Sequence, residues 1–343
     1  MIVSCRAFTQ SGRKVKRQIE EGLARHHQIE QKEIASLSEW TKYYMETEPV
    51  SGCRSALVFI GATGIAVRSI APYVKDKYTD PAVVVVDDQG KHVIPILSGH
   101  VGGANELARE IAGITGGEAV ITTATDLHGV FAVDEFAKKN GLEISDRKKA
   151  KDISAALLSG ETVGVYVDPG HLTGMVPEGL HVPPKEADLH RILIAAVCPE
   201  PGTESEKLLH LVPKSLVVGM GCRKGVPEEK LEAFLREELE RRQLSLDAVY
   251  AIASLDRKKE EPGLIALAEK LGVLFLTYTK EELNQVPGTF HASAYVYGIT
   301  GVDNVCERSA VRASDGGKLI IPKTTADKMT LAVAEKEWSV CFE

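Results

Sequence analysis

Two short strings hold the residue types from which an anion-binding or hydrolytic site is built. They are Gly61-Ala62-Thr63-Gly64, with Arg68 four residues on, and Ser98-Gly99-His100-Val101-Gly102-Gly103-Ala104-Asn105. Glycines 99, 102 and 103 precede a helix-forming run at 106–112, so backbone N–H groups and the positive end of the helix dipole can approach a carboxylate or phosphate. His100 sits inside that glycine-rich loop and is a candidate general base. Arg68, one helical turn into the stretch after Gly64, offers a planar fork to a carboxylate. Thr122-Thr123-Ala124-Thr125-Asp126 adds hydroxyls and one carboxylate, with Asp126 placed to orient His100 or a water. Tight turns and helix caps are the competing roles for these residues.

A second set lies in the C-terminal third. Gly219-Met220-Gly221-Cys222-Arg223-Lys224-Gly225 has a strand-loop-helix context, but its third glycine is displaced from the dinucleotide fingerprint, which favours an anion site using Arg223 over NAD. Ser254-Leu255-Asp256 ends an apolar run, Glu307 opens a helix-like stretch, and Lys323 follows Leu319-Ile320-Ile321-Pro322. These are candidate polar groups for one crevice, although each alone is more often structural. Neither glycine string ends in Gly-Lys-Ser/Thr, so a phosphate loop is excluded. Lys75 and Lys77 read as solvated surface, as does the charge run at 257–261.

The elements that must carry these residues follow an α/β rhythm. A helix is expected at 12–26 and strands at 56–60, 82–86, 93–97 and 119–122. Val83-Val84-Val85-Val86 lacks polar alternation, as in a strand covered on both faces. The turn Asp87-Asp88-Gln89-Gly90 predicts one antiparallel pair within the otherwise parallel order. Both glycine loops follow strands, so they are expected at one sheet edge. Residues 127–213 show weak periodicity and accumulate proline, ending in a linker near 199–213. Regular alternation resumes with strands at 216–220, 248–253 and 273–276 and a helix at 227–242. The fold expected is two doubly wound α/β domains, 1–126 and 214–343, joined by a small irregular middle domain, 127–213.

The chain has 343 residues, 44% hydrophobic and 26% charged, with a formal net charge of -7. That balance excludes a basic nucleic-acid-binding surface as the main feature. No window approaches the roughly 20 apolar residues of a membrane span, and the first residues lack a signal-peptide pattern, so a cytoplasmic protein is expected. Its six cysteines (5, 53, 198, 222, 306 and 341) include no Cys-x-x-Cys pair, which speaks for reduced thiols over a zinc or iron–sulfur site.

In combination these strings resemble the cobalt-precorrin-5A hydrolase family of anaerobic cobalamin biosynthesis. The motifs that carry the resemblance are 61–68, Asp80 through Asp87, 98–105 and 120–126, then 219–225, 254–258, 301–307 and Pro322-Lys323-Thr324 with the strand at 329–334. The resemblance implies hydrolysis of a lactone on a cobalt-corrinoid, with loss of the carbon-20 fragment as acetaldehyde to give cobalt-precorrin-5B. It implies no resident cofactor or metal, since cobalt arrives inside the substrate. Further partners open to such a protein are neighbouring pathway enzymes and a second copy of itself.

A substrate ringed by carboxylates agrees with several anion-holding loops. Gly61, Thr63, Gly64, Arg68, Ser98, Gly99, Gly102, Gly103, Asn105, Thr123, Arg223, Ser254 and Lys323 are the expected substrate contacts. His100 would activate water, with Asp126 and Glu307 as further catalytic candidates. The alternative is a non-catalytic carrier of an unstable corrinoid, built from the same loops.

Overall fold

The computed structural model describes residues 1–47, 54–76, 79–100, 102–123, 129–168, 170–199 and 207–342. The chain divides into two compact units, Met1–Glu135 and Phe136–Glu343.

The first unit is built on a six-stranded sheet of β1 (Ile2–Ala7), β2 (Gln28–Ile29), β3 (Ser55–Ile60), β4 (Ala82–Val86), β5 (His92–Leu97) and β6 (Glu118–Ala119), in the order β2-β1-β3-β4-β5-β6. Every residue of β3 and β4 is buried, because helices cover both faces. On one face Val58, Ile60, Val84 and Val86 pack with Ile19, Leu23, Leu107 and Ile111 of helices Gln10–Leu23 and Ala104–Thr115. On the other, Leu57, Phe59, Val83 and Val85 meet Trp40, Tyr44, Ala66 and Ile70 of helices Leu37–Glu46 and Thr63–Ile70. The first helix starts at the Thr9 cap, whose side chain accepts from the Gly12 amide, two residues earlier than composition predicts.

The antiparallel β4–β5 pair expected from the 87–90 turn is present. It overturns the expectation that both glycine loops share an edge. Ile60 pairs beside Val86 and Ala56 beside Ala82, while Leu97 lies beside Val83 and Val93 beside Val86. Gly61 therefore leaves one edge and Ser98 the other, roughly 15–20 Å of strand apart. One reversed strand is enough to exchange the two ends.

The second unit holds two five-stranded sheets. The segment read as irregular carries the first: β7 (Leu142–Ile144), β8 (Val163–Val167), β10 (Leu180–His181), β11 (His190–Ile194) and β12 (Leu208–Pro213), in the order β10-β8-β11-β12-β7. Strands as short as two residues give no readable period, and β12 occupies part of what reads as a linker. The second sheet is β15-β14-β13-β17-β16, formed by β13 (Leu216–Cys222), β14 (Val249–Leu255), β15 (Leu274–Tyr278), β16 (Lys318–Ala326) and β17 (Met329–Glu335). Leu231, Phe234 and Leu235 of helix Glu228–Glu240 and Leu264 and Leu267 of helix Pro262–Leu271 pack with Val218, Met220 and Ile252. Helix Val305–Ala313 covers the other face through Ala310 and Ala313. The C-terminal tail returns to the middle segment, where β18 (Val340–Cys341) pairs with β9 (Leu172–Thr173) and Asn140 exchanges two hydrogen bonds with the Cys341 backbone. Among the described residues no helix is long and apolar enough to cross a membrane.

Candidate functional site

In the first unit the 98–103 loop uses its own amides. The N–H groups of Gly103, Ala104 and Asn105 donate to the carbonyls of His100, Ser98 and Gly99 at 3.0, 3.2 and 3.0 Å. Three donors expected to face an anion at this helix start are thus turned into the loop. Glycine at 102 is required by close approach, since a Cβ there would stand 2.3 Å from the Ser98 Cβ. Ser98 has φ 55° and a buried Oγ without a partner among the described residues, so the turn holds local strain. Gly99 abuts the Asn105 side chain, whose Nδ2 donates to Thr123 Oγ1 at 3.1 Å. Ser98, Gly99, Asn105 and Thr123 therefore do come together, with half-buried His100 in the same loop. Asp126, like Lys77, lies outside the described residues.

At the opposite edge, the Gly61 amide donates to the Val86 carbonyl at 2.8 Å and the Phe8 ring fills the space beside Gly61. Thr63 and Gly64 open helix Thr63–Ile70. Arg68 is exposed and folds back over that first turn, its guanidinium near Gly64. These residues form a group separate from the 98–103 loop.

The second unit has a built crevice. An open cleft of about 640 Å³ lies at the ends of β13 and β14, closed on one side by helix Ala294–Thr300 and on another by the β16–β17 turn. Its apolar wall includes Leu255, Tyr295, Val296, Ile299, Val305 and Met329, and its cations are Arg223, Arg257, Lys258, Lys323 and Lys328. Tyr295 and Ile299 are 70% and 52% exposed, so this helix presents apolar surface to solvent.

Several cations are already anchored. Arg257 donates to the Ile299 carbonyl at 2.6 Å, tying the helix to the sheet, and Lys258 pairs with Glu261 at 2.7 Å. Burial acts against the Glu261 charge, yet bonds from Lys258 and the Gly225 amide hold its carboxyl below the usual range. Burial pushes the Cys222 thiol up, and the Cys306 thiol up to about 11, so both cleft cysteines stay protonated at neutral pH.

Ser254 is fully buried and its Oγ donates to the Met220 carbonyl at 2.6 Å. The hydroxyl expected to contact substrate is instead spent on joining β14 to β13. Gly219 and Gly221 sit within β13, so only Arg223 to Gly225 form the turn after the strand, and the first two glycines do not cradle an anion.

Behind the cleft wall lies Glu307, fully buried at the third position of helix Val305–Ala313. Its Oε1 accepts from the Lys323 amide and His291 Nδ1, each at 2.7 Å, and its Oε2 from the His291 amide at 2.8 Å and Asn304 Nδ2 at 2.6 Å. The register shift between Ile321 and Thr324 in β16 is what turns the Lys323 amide out of the ladder toward this carboxylate. Desolvation opposes ionisation, but the amide bonds from Lys323 and His291 and the imidazole bond outweigh it, and the carboxyl is held below the ordinary glutamate value. Glu307, expected as catalytic, has its acceptor positions filled and no exposed surface. The exposed partner is His291, which sequence reasoning missed. It lies in a loop without motif, sixteen residues from its carboxylate.

Comparison with known proteins shows the family of the chain. A cobalt-precorrin-5A hydrolase of Salmonella typhimurium is 41% identical over 278 residues, 76% of this chain and 77% of that protein. The chain belongs to the cobalt-precorrin-5A hydrolase family. A second relative of that name, from Priestia megaterium, is 35% identical over 81% of this chain and 78% of its own. Family models described as cobalamin synthesis G N-terminal, cobalamin biosynthesis central region and cobalamin synthesis G C-terminus match residues 48–126, 131–213 and 216–334. A crystal structure of a cobalamin biosynthesis protein G homolog from Sulfolobus solfataricus aligns over 98% of this chain and 97% of that one, at 25% identity and a TM-score of 0.42. The cleft, Glu307 and His291 all fall inside the C-terminal match of this hydrolase family.

Proposed function

We propose that the chain hydrolyses the lactone of cobalt-precorrin-5A, releasing the carbon-20 fragment as acetaldehyde and giving cobalt-precorrin-5B, and that the cleft of the second unit receives the corrinoid. The observation that carries this placement is the pairing of an exposed apolar wall with several cations, beside one carboxylate, Asp327. A corrinoid precursor presents a broad apolar face edged by carboxylates, so Tyr295, Val296 and Ile299 would lie against the macrocycle while Arg223, Lys323 and Lys328 meet its acidic side chains. Cobalt belongs to the substrate in this reading. Arg68 and the Gly61–Gly64 turn remain candidate contacts of the first unit, as do the side chains around Ser98 and Asn105.

The test is incubation of the purified protein with cobalt-precorrin-5A, following the corrinoid spectrum while released acetaldehyde is coupled to alcohol dehydrogenase. Acetaldehyde formed in step with substrate loss is expected. Tight binding without acetaldehyde would make the protein a carrier and overturn the reading.

A further inference from the structure

The geometry points to His291 as the general base and acid of the lactone step and to Glu307 as its positioning residue, an assignment we propose here and one that rests on the cleft being the corrinoid site. The tautomer follows from the hydrogen bonds. Ionised Glu307 can only accept, so the 2.7 Å contact requires a proton on His291 Nδ1, and in the neutral ring the lone pair is then on Nε2. The side chain of His291 is 69% exposed, so Nε2 is open to water while Nδ1 is held.

The backbone at 291 is fixed as firmly as the ring. Its N–H donates to Glu307 Oε2 and its carbonyl accepts from Asn304 Nδ2 at 3.1 Å. Asn304 also caps helix Val305–Ala313 by accepting the Glu307 amide, and both Asn304 and Lys323 line the cleft. The imidazole is thus anchored through Glu307, whose other partners Asn304 and Lys323 line the cleft. The charged and titratable groups of the neighbouring elements are Lys323 on β16, Cys306 and Arg308 on the helix, and Asp303, which pairs with Arg308 at 2.6 Å. The Nδ1 bond helps keep the buried carboxylate ionised, and the same bond leaves the opposite ring nitrogen on the exposed side of the imidazole, the arrangement a general base needs.

In the step itself, water bonds through oxygen to the lactone carbonyl carbon as its proton passes to Nε2. The tetrahedral carbon then expels the ring oxygen, which takes that proton back from Nε2. The acyl C–O bond breaks, one water is consumed, and the histidine returns to its starting form. Glu307 stays ionised throughout and steadies the transient imidazolium.

The decisive experiment compares wild type with His291→Ala, a variant whose lost side chain is mostly solvent-exposed. Turnover of cobalt-precorrin-5A should fall about 10²–10⁴-fold in kcat, with KM nearly unchanged, and added imidazole should restore part of the rate. In wild-type protein labelled with ¹⁵N-histidine, the Nδ1 proton should resonate far downfield, and this signal should vanish in His291→Ala. A structural staple would give neither the imidazole rescue nor the kcat-only loss. The assignment is overturned if His291→Ala turns over normally, or if His100→Ala is the variant that shows loss with rescue. Absence of turnover in the wild type, with the downfield proton present, would instead defeat the functional reading and the assignment with it.

Discussion

Gly219 in β13 lies directly against the carbonyl of Cys306, where a Cβ would stand 1.8 Å from that oxygen. The absence of a side chain is what lets helix Val305–Ala313 settle on the sheet, and with it the Asn304 and Cys306 positions of the cleft wall and Glu307 behind it. A glycine that reads as part of a nucleotide-binding string thus has a packing reason. Gly219→Ala should force the helix outward and destabilise the protein by about 3 kcal/mol, measured as a shifted urea midpoint. Gly113→Ala provides the contrast. It lies inside helix Ala104–Thr115 with nothing within 4 Å of an added Cβ, and should stabilise by about 0.5–1 kcal/mol. Equal effects at the two positions would contradict the close-approach account.

Glu307→Gln removes the charge while keeping the shape. The amide NH₂ would face donors: with the His291 N–H and Asn304 Nδ2 two of the four bonds are lost, and with the Lys323 N–H and His291 Nδ1 at least the Lys323 bond is lost even if the imidazole shifts its proton to Nε2. Uncompensated buried donors and a broken buried pair make a loss of roughly 3–4 kcal/mol the expected cost. Chemical denaturation measures it, and a change below about 1 kcal/mol would show that water replaces the carboxylate readily.

The general α/β rhythm and the antiparallel 87–90 turn were legible because β3, β4 and β5 are long and apolar and the turn has distinctive residues. Their consequence, that Gly61 and Ser98 leave opposite edges, depends on which strands pair, and local patterns do not encode pairing. The loop around Ser98 was visible as glycine-rich, but glycine signals close approach equally for a ligand and for the chain itself; here the chain takes up the amides of Gly103, Ala104 and Asn105. Of the C-terminal site, Arg223 and Lys323 were readable as cations after strands. Asn304 with Glu307 three residues on is a helix-start pattern that could have marked a fixed carboxylate. Its partner His291 has no local signature at all, since only the fold brings it across.

Stability should fall in acid with a definite sign. Glu307 and Asp188 are both buried. Burial raises each carboxyl, but the amides of Lys323 and His291 on Glu307, and Lys185, Thr162 and His181 on Asp188, bring the net shift below the ordinary value. A depressed folded-state pKa contributes stability that is present above the unfolded values, about 4.3 for Glu and 3.9 for Asp, and is lost as pH falls through the folded values. These two groups should leave the urea midpoint nearly flat from pH 7 to about 5.5 and lower it steeply below about pH 4. In Glu307→Gln that acid slope should be shallower than in wild type. An identical slope would mean that Glu307 is not the carboxylate being protonated.

Cleft cations should act on binding more than on chemistry. Arg223 is exposed, and the Lys323 side chain lines the cleft while its amide alone serves Glu307, so Arg223→Ala and Lys323→Ala both leave the buried carboxylate intact. With the corrinoid in the cleft as proposed, each would remove one charged contact to a substrate carboxylate, worth roughly 1.5 kcal/mol, or about tenfold in KM. Because the lost interaction is shared by ground and transition states, kcat should stay within about twofold of wild type. The wild-type KM should also rise with ionic strength, and less so in the variants, as screening acts on fewer exposed pairs. Steady-state kinetics at low and high salt measure both effects. A fall in kcat at constant KM in Lys323→Ala would place its ammonium at the reacting carbonyl, and unchanged kinetics in both variants would move the corrinoid away from this cleft.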